Sequence, residues 1–203
     1  MTEQTSKPGP ELTVAIAAFN EHATIMQVLQ RVMAVPVTKQ IVVVDNCSTD
    51  GTRELLADVD DSVEVIYQPR NLGKGTSIRT AITRARGEYF IIQDADLEYE
   101  PEQYPRLLSY AREHELDALY GSRVIEGRNT NYVGYYLGVQ ALTWMTNVLY
   151  GARLTDVATA CKMFRTSVVS KLNNKRGSVF TSARKVSVNA IDENTMTVFQ
   201  RIF

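Results

Sequence analysis

The hydrophobic positions fall into short blocks that alternate between two periodicities. Leu12 to Ala18 (LTVAIAA) is an apolar run, and after Phe19-Asn20-Glu21-His22 the residues Ile25, Val28, Leu29 and Val32 recur at the spacing of one helical face. Ile41 to Val44 (IVVV) is continuous and β-branched, the pattern of a strand buried on both faces. It gives way to DNCSTDGT, where Ser48, Thr49 and Asp50 are good helix starters. A third strand is expected over 63–68 (VEVIYQ), followed by a turn through PRNLGKG into a helix carrying Ile78 and Ile82, which Gly87 is expected to stop. EYFIIQD (88–94) reads as the fourth strand, 101–115 as a helix opened by Pro101, and 117–123 as the fifth strand.

Strands alternating with helices of this length predict an α/β domain with a doubly wound, mostly parallel sheet, because βαβ crossovers join parallel neighbours. Each expected strand is followed by polar or charged residues: Phe19-Asn20-Glu21, Asp45-Asn46, Gln68 to Lys74, Asp94-Ala95-Asp96 and Gly121-Ser122-Arg123. Ligands of open α/β sheets bind outside the carboxyl ends of the strands. The convergence of polar residues on that one edge makes it the expected site.

Beyond Arg123 the pattern changes. No charged residue occurs between Arg128 and Arg153, and Tyr135, Val139, Leu142, Thr146 and Leu149 repeat at helical spacing, flanked by Tyr136, Gln140, Thr143, Asn147 and Tyr150. The favoured expectation is a helix with that stripe toward the core and an uncharged flank. The alternative is a helix meeting a lipid chain or membrane interface, where tyrosines and Trp144 would be at home. The segment is too polar to span a bilayer. Residues 154–165 (LTDVATACKMFR) are expected to be a loop running into a strand, with a short helix near Val168 to Leu172.

A chain of 203 residues has room for one domain with a sizeable core, or at most two small ones, and a net charge of −1 argues against a globally basic, nucleic-acid-binding surface. Cys47 and Cys161 form no metal or disulfide spacing, which favours a reducing, cytoplasmic setting. The opening MTEQTSKPGPE lacks the apolar stretch of a signal peptide, so residues 1–11 are expected to be a disordered leader.

The chemistry concentrates at QDADLE. In an extended chain residues i, i+2 and i+4 point the same way, so Asp94, Asp96 and Glu98 would crowd carboxylates together, an arrangement that calls for a cation. Two carboxylates after a buried strand make a hard oxygen site suited to Mg²⁺ or Mn²⁺, metals that usually bridge to substrate phosphates. Gly73-Lys74-Gly75-Thr76 is not a P-loop, for the spacing fails; a lysine between glycines can still reach a phosphate or a nearby carboxylate, or stay solvated in a plain turn. Asp45 could accept an N–H from a nucleobase or sugar, or cap a helix. Glu21 could offset the first helix dipole or face the ligand. His22 and His114 have no Cys or Ser partner at a telling spacing, which leaves nucleophilic hydrolysis unsupported.

Together Phe19-Asn20-Glu21, DNCSTDGT (45–52), NLGKG (71–75), DADLE (94–98) and GSR (121–123) resemble, in order and spacing, family 2 glycosyltransferases of the GT-A fold, nearest the dolichyl-phosphate mannose synthase and polyprenyl-phosphate glycosyltransferase branch. LTDVATACKMFR is similar to that branch's Thr-Asp…Thr…Lys segment. The resemblance runs from residue 12 to 172 and leaves 173–203 as a divergent tail. It implies inverting transfer of a hexose from a nucleotide-diphosphate sugar to a polyprenyl phosphate, with peripheral contact at the cytoplasmic face of a membrane. By matching positions, Ala17, Phe19, Glu21, Asp45, Lys74 and Asp94-Ala95-Asp96 would face the donor, and Asp94 and Asp96 with Glu98 the metal. Arg123 would meet the acceptor phosphate or the diphosphate. Ala17 stands where the family usually has Pro, Asn46 where a second Asp is common, Glu98 where Gln is frequent, and Cys161 where an aromatic residue often sits. Two other readings share this sheet logic: a catalytically impaired nucleotide-sugar-binding paralogue, and a nucleotidyltransferase, which would more naturally carry a Gly-rich basic loop where this chain has AAFNEH.

Overall fold

The computed structural model describes residues 9–97, 99–121, 133–150, 161–173 and 186–189. In chain order the elements are β1 (Leu12–Ala18), α1 (Ile25–Ala34), β2 (Lys39–Asp45), α2 (Thr52–Ala57), β3 (Val63–Tyr67), α3 (Lys74–Arg84), β4 (Tyr89–Asp94), α4 (Tyr104–Glu113), β5 (Ala118–Gly121), α5 (Val133–Tyr150), β6 (Lys162–Arg165), α6 (Thr166–Asn173) and β7 (Val186–Asn189). The strands form one sheet in the order β3-β2-β1-β4-β6-β5-β7. Strands β1 to β4 are mutually parallel, β6 runs against both β4 and β5, and β5 and β7 are parallel. The sheet is therefore mostly parallel, as expected, with one reversed strand that the alternation of elements did not announce. Residues 186–189, inside the segment expected to be a divergent tail, add a strand at its edge.

Alternation along the central strands divides the core. Leu12, Val14, Ile16 and Ala18 of β1, with Ile41 and Val43 of β2, pack under Ile25, Val28, Leu29 and Val32 of α1 and Tyr104, Leu107 and Leu108 of α4. Ala15, Val42, Val44 and Phe90 face the other way, toward Ile78, Ala81 and Ile82 of α3 and Val168 and Val169 of α6. Each of the Val, Leu, Ile and Phe side chains contributes about 1.5–3 kcal/mol on full burial. Because both faces are covered, the open space left to a ligand is the carboxyl edge.

Three expectations need correcting. Gly87 does not stop α3, which ends at Arg84 with Ala85 in extended conformation; a Cβ at Gly87 would lie 2.4 Å from the Thr13 backbone nitrogen, so the glycine is there for close approach to β1. The helix expected over 101–115 breaks into a 3-10 turn, Pro101–Gln103, and α4. Pro105 has no N–H to give to the turn before it, and the α-helix restarts with that proline in its first turn. In α5 the expected core stripe fails: Val139 is buried, but Leu142 and Leu149 are exposed. Among the described residues no helix is long and apolar enough to cross a membrane.

Candidate active site

Register aligns the strand ends. Ala18 pairs with Asp45, Asp45 with Tyr67, and Ala17 with Asp94, so four strands finish at one edge. Chain order runs outward from β1 through β2 to β3 and then resumes on the other side of β1 with β4. The crevice between the ends of β1 and β4 is thus a topological switch point, where adjacent connections leave on opposite faces and open a space. A cavity of about 320 Å³ lies at these ends, lined by Ala17, Phe19, Glu21, Lys74, Asp94, Ala95 and Asp96 from the sequence reading. Ala18, Asn46, Asn71, Gly73 and Ser77 also line it; Asn46, Asn71 and Gly73 belong to the polar strand-end segments expected at this edge, whereas Ala18 and Ser77 do not. Glu98 and Arg123 lie outside the described residues.

The aspartates bracket a buried alanine: Asp94 and Asp96 are half-buried, while Ala95 between them is 3% exposed. The cation called for beside them is Lys74, whose Nζ sits 2.6 Å from Asp94 Oδ1. Gly73, at φ 83° and ψ 155°, holds a backbone conformation that a side chain would strain and that lets Lys74 open α3 beside β4. The lysine side chain is 60% exposed and the aspartate 15%, so the ammonium is the movable partner and the carboxylate the fixed one.

Behind this pair, buried side chains hold the end of β4. The Tyr104 hydroxyl donates to Gln93 Oε1 at 2.6 Å, and Gln93 Nε2 donates to the Asp94 carbonyl at 3.1 Å. Burial drives the Tyr104 phenol well above its usual range, so it remains protonated and a donor.

Asp45 is the predicted donor-binding residue that does not line the cavity. Its side chain is fully buried, its Oδ1 accepts the Ser48 N–H at 3.2 Å, and Arg53 Nε lies 3.0 Å from its Oδ2. The Arg53 guanidinium in turn rests 5.0 Å from the centre of the Tyr67 ring. A carboxylate this buried needs a charge partner, and residue 53, in the first turn of the next helix, supplies it.

Hydrogen bonds between loops set the remaining wall. The β1 loop gives Asn20 N–H to Ser48 Oγ, Glu21 N–H to Thr52 Oγ1 and His22 N–H to Asp50 Oδ2, at 2.9–3.1 Å, and Asn20 Oδ1 accepts the Thr49 N–H at 2.9 Å. The expected helix starters Ser48 and Thr49 therefore tie two loops together, while Asp50 also accepts the Thr52 N–H of α2. Asn46 uses both ends of its amide. Nδ2 donates to Asn71 Oδ1 at 2.8 Å, and Oδ1 accepts the Leu72 N–H at 2.8 Å. An aspartate at 46 could make only the second bond.

Two carboxylates on one cavity are a donor set that fits Mg²⁺ or Mn²⁺. Among the described residues no group of three His, Cys, Asp or Glu side chains is placed to hold a metal. Such cations accept one or two carboxylates and complete their shell with water and phosphate oxygens, so Asp94 and Asp96 suffice if the ligand brings a diphosphate. Lys74 on Asp94 marks the position as one that already attracts a positive charge.

The profile described as Glycosyl transferase family 2 matches residues 13–172. The chain is 33% identical over 162 residues to the low-salt glycan biosynthesis hexosyltransferase Agl6 of Haloferax volcanii, covering 76% of this chain and 38% of the relative. It is 26% identical over 174 residues to the dodecaprenyl-phosphate galacturonate synthase of Rhizobium johnstonii, covering 80% and 50%. The chain thus spans half or less of the length of these relatives. Among solved structures, the mannosyltransferase PcManGT of Pyrobaculum calidifontis, in complex with GDP-Man and Mn²⁺, superposes with a TM-score of 0.62 at 18% identity, covering 91% of this chain and 58% of that one. At that identity the likeness shows the fold alone, and the fold is GT-A.

Proposed function

The chain belongs to the family 2 glycosyltransferases, and from that premise we propose that it moves a hexose from a nucleotide-diphosphate sugar, of the GDP-mannose or UDP-glucose type, to a polyprenyl or dolichyl phosphate. The observation that carries this reading is the aspartate pair lining the cavity at the β1/β4 switch point, with Lys74 Nζ 2.6 Å from Asp94. That arrangement suits a diphosphate bound through a divalent cation, and relatives named for glycan and polyprenyl-phosphate chemistry support the substrate classes. In the reaction an acceptor phosphate oxygen bonds to the anomeric carbon from the face opposite the leaving group. The bond from that carbon to the diphosphate breaks, and its electron pair departs with the nucleoside diphosphate.

Roles follow from charge. Asp94 and Asp96 would hold Mg²⁺ or Mn²⁺, whose chemistry when bound is to offset charge on the leaving diphosphate. Lys74 would turn from Asp94 to a phosphate oxygen, adding a donor that its exposure leaves free to swing. Phe19 and Glu21 would hold the nucleotide, with Asp45 acting from below through the Ser48 turn and Arg53. Arg123 would orient the acceptor phosphate by paired hydrogen bonds. An ionised phosphate needs no proton removed, which agrees with a cavity that no histidine lines among the described residues. With a lipid-borne acceptor, the protein works peripherally at the cytoplasmic face of a membrane.

The test is a panel of GDP- and UDP-sugars scored by Mn²⁺-dependent thermal stabilisation, followed by transfer to a short polyprenyl phosphate. One sugar should stabilise and transfer. Arg123→Ala should reduce transfer more than donor binding. If no nucleotide sugar stabilises the protein in the presence of metal, the reading is wrong.

A further inference from the structure

We infer that the outward face of α5 is a docking surface for an anionic lipid bilayer. At about 3.6 residues per turn, Val139, Gln140, Thr143, Thr146 and Asn147 share one side of this helix. That side faces the protein: Val139 and Thr143 are buried and the other three half-buried. The Thr143 hydroxyl is satisfied within the helix by the Val139 carbonyl at 2.8 Å. The opposite side presents Leu137, Leu142, Trp144, Met145, Val148 and Leu149, exposed by 62, 52, 68, 47, 62 and 68%. A helix on a protein surface ordinarily turns its apolar stripe inward and its polar face to water. Among the described side chains the polar ones lie inward beside Val139 and the other apolar ones lie outward, so water is the wrong solvent for the outer face.

Three observations select a bilayer over a protein. Among the described side chains the outer face offers one hydrogen-bonding group, the Trp144 indole, whereas a specific protein interface makes roughly one hydrogen bond per 100–200 Å² and has a polar rim. The charged residues nearest the helix in sequence are Arg128 and Arg153, with no Asp or Glu between Glu126 and Asp156, a balance suited to anionic headgroups. The third is topological. Because β6 reverses direction, β5 runs the same way as β4, and the Gly121 N–H bonds the Cys161 carbonyl at 2.9 Å. The excursion that contains α5 therefore leaves and re-enters the sheet at the edge that carries Asp94. A membrane held by α5 would meet the enzyme through a segment rooted at the cavity edge, where a lipid-borne phosphate must arrive. This last step rests on the acceptor proposed above; the reversed helix does not. No described helix is long and apolar enough to cross the membrane, so α5 would lie in the interface plane.

Trp144 is the single tryptophan of the chain and sits on the proposed face, which makes it a built-in reporter. The full chain is mixed with phosphatidylglycerol/phosphatidylcholine vesicles, and flotation and tryptophan emission are followed. The expected result is co-flotation with a shift of emission to shorter wavelength, weaker on vesicles of phosphatidylcholine alone. Leu149→Glu and, separately, Leu137→Ser keep Trp144 and change only exposed positions. Leu149→Glu should lower partitioning about tenfold or more, with donor-induced thermal stabilisation unchanged. Absence of both flotation and spectral shift overturns the proposal. So does a shift that appears without vesicles as the protein is concentrated, with a dimer in sedimentation, since the face would then belong to a second copy. Vesicle binding without any nucleotide-sugar binding would refute the proposed reaction and leave this surface standing.

Discussion

Replacing Lys74 with Met removes the ammonium and keeps most of the stem, and the structure separates what this should do to stability from what it should do to binding. The ion pair to Asp94 is short, at 2.6 Å, but the lysine is mostly in water. Screening then holds its net contribution to folding at about 1 kcal/mol or less. In a domain of this size that corresponds to a melting shift of no more than about 2–4 °C. Binding is another matter. If the ammonium swings to a diphosphate oxygen, the lost bond is charge-assisted and its absence costs about 1.5–3 kcal/mol. This amounts to roughly 10–100-fold in the dissociation constant of the nucleoside diphosphate. Calorimetric titration of GDP and UDP in saturating Mn²⁺ measures it, with the melting temperature taken on the same samples. Raised salt should weaken wild-type binding more than that of the variant, because one charge pair is gone. Unchanged nucleotide affinity would refute the role for Lys74, and a melting loss above about 5 °C would refute the view of the pair as peripheral to folding.

Tyr104→Phe should orphan the buried Gln93 Oε1 and destabilise by about 1–3 kcal/mol, read by urea denaturation. Metal-dependent nucleotide binding should fall with it, since Gln93 steadies the Asp94 carbonyl; full affinity in the variant would show that the bond is not needed at the site. Asn46→Asp should cost about 1 kcal/mol in the same assay. It loses the bond to Asn71, and turning the Asn71 amide to compensate would give up that oxygen's bond to the Gly73 N–H; a gain in stability would contradict this pairing. Hydrogen bonds from Arg112 and Arg31 hold the Glu11 and Glu102 carboxyls below the usual glutamate range. Groups lowered by folding stabilise fully above their unfolded pKa and lose that contribution as pH falls through the folded value. The urea midpoint should therefore decline in acid below the ordinary glutamate range, and Arg112→Ala should flatten that decline.

Much of the fold was legible because it depends on short-range pattern. The β1 strand, the α1 face of Ile25, Val28, Leu29 and Val32, and the packing of Ile78 and Ile82 all appear where period alone puts them. The edge was legible for a second reason. A parallel sheet sends every carboxyl end the same way, so residues far apart in sequence, Phe19, Lys74 and Asp94, could be assigned to one cavity without any distance being known. Hidden from this reasoning was anything decided by a partner. Gly87 reads as a helix stop because its neighbour Thr13, 74 residues away in the chain, cannot be seen from position 87. The reversal of β6 depends on the long excursion after β5, whose return to the same edge no local period records.

Asp45 and α5 expose the same limit from opposite sides, and they share a cause. A strand-ending carboxylate is expected to face a ligand when nothing inside the protein can pair it, but Arg53 and the Ser48 N–H do pair it, and it turns inward. An apolar helical residue is expected to face the core, but that expectation assumes water on the other side. In α5 the stripe of Leu142 and Leu149 had the right period and the wrong direction, because spacing reports that a face exists and leaves open what lies against it. For both, the deciding quantity is the solvent or charge met by the side chain. Once the structure supplies it, the buried carboxylate becomes a support for the loop wall, and the outer face of α5 becomes, among the described residues, the largest run of exposed apolar side chains still to be covered.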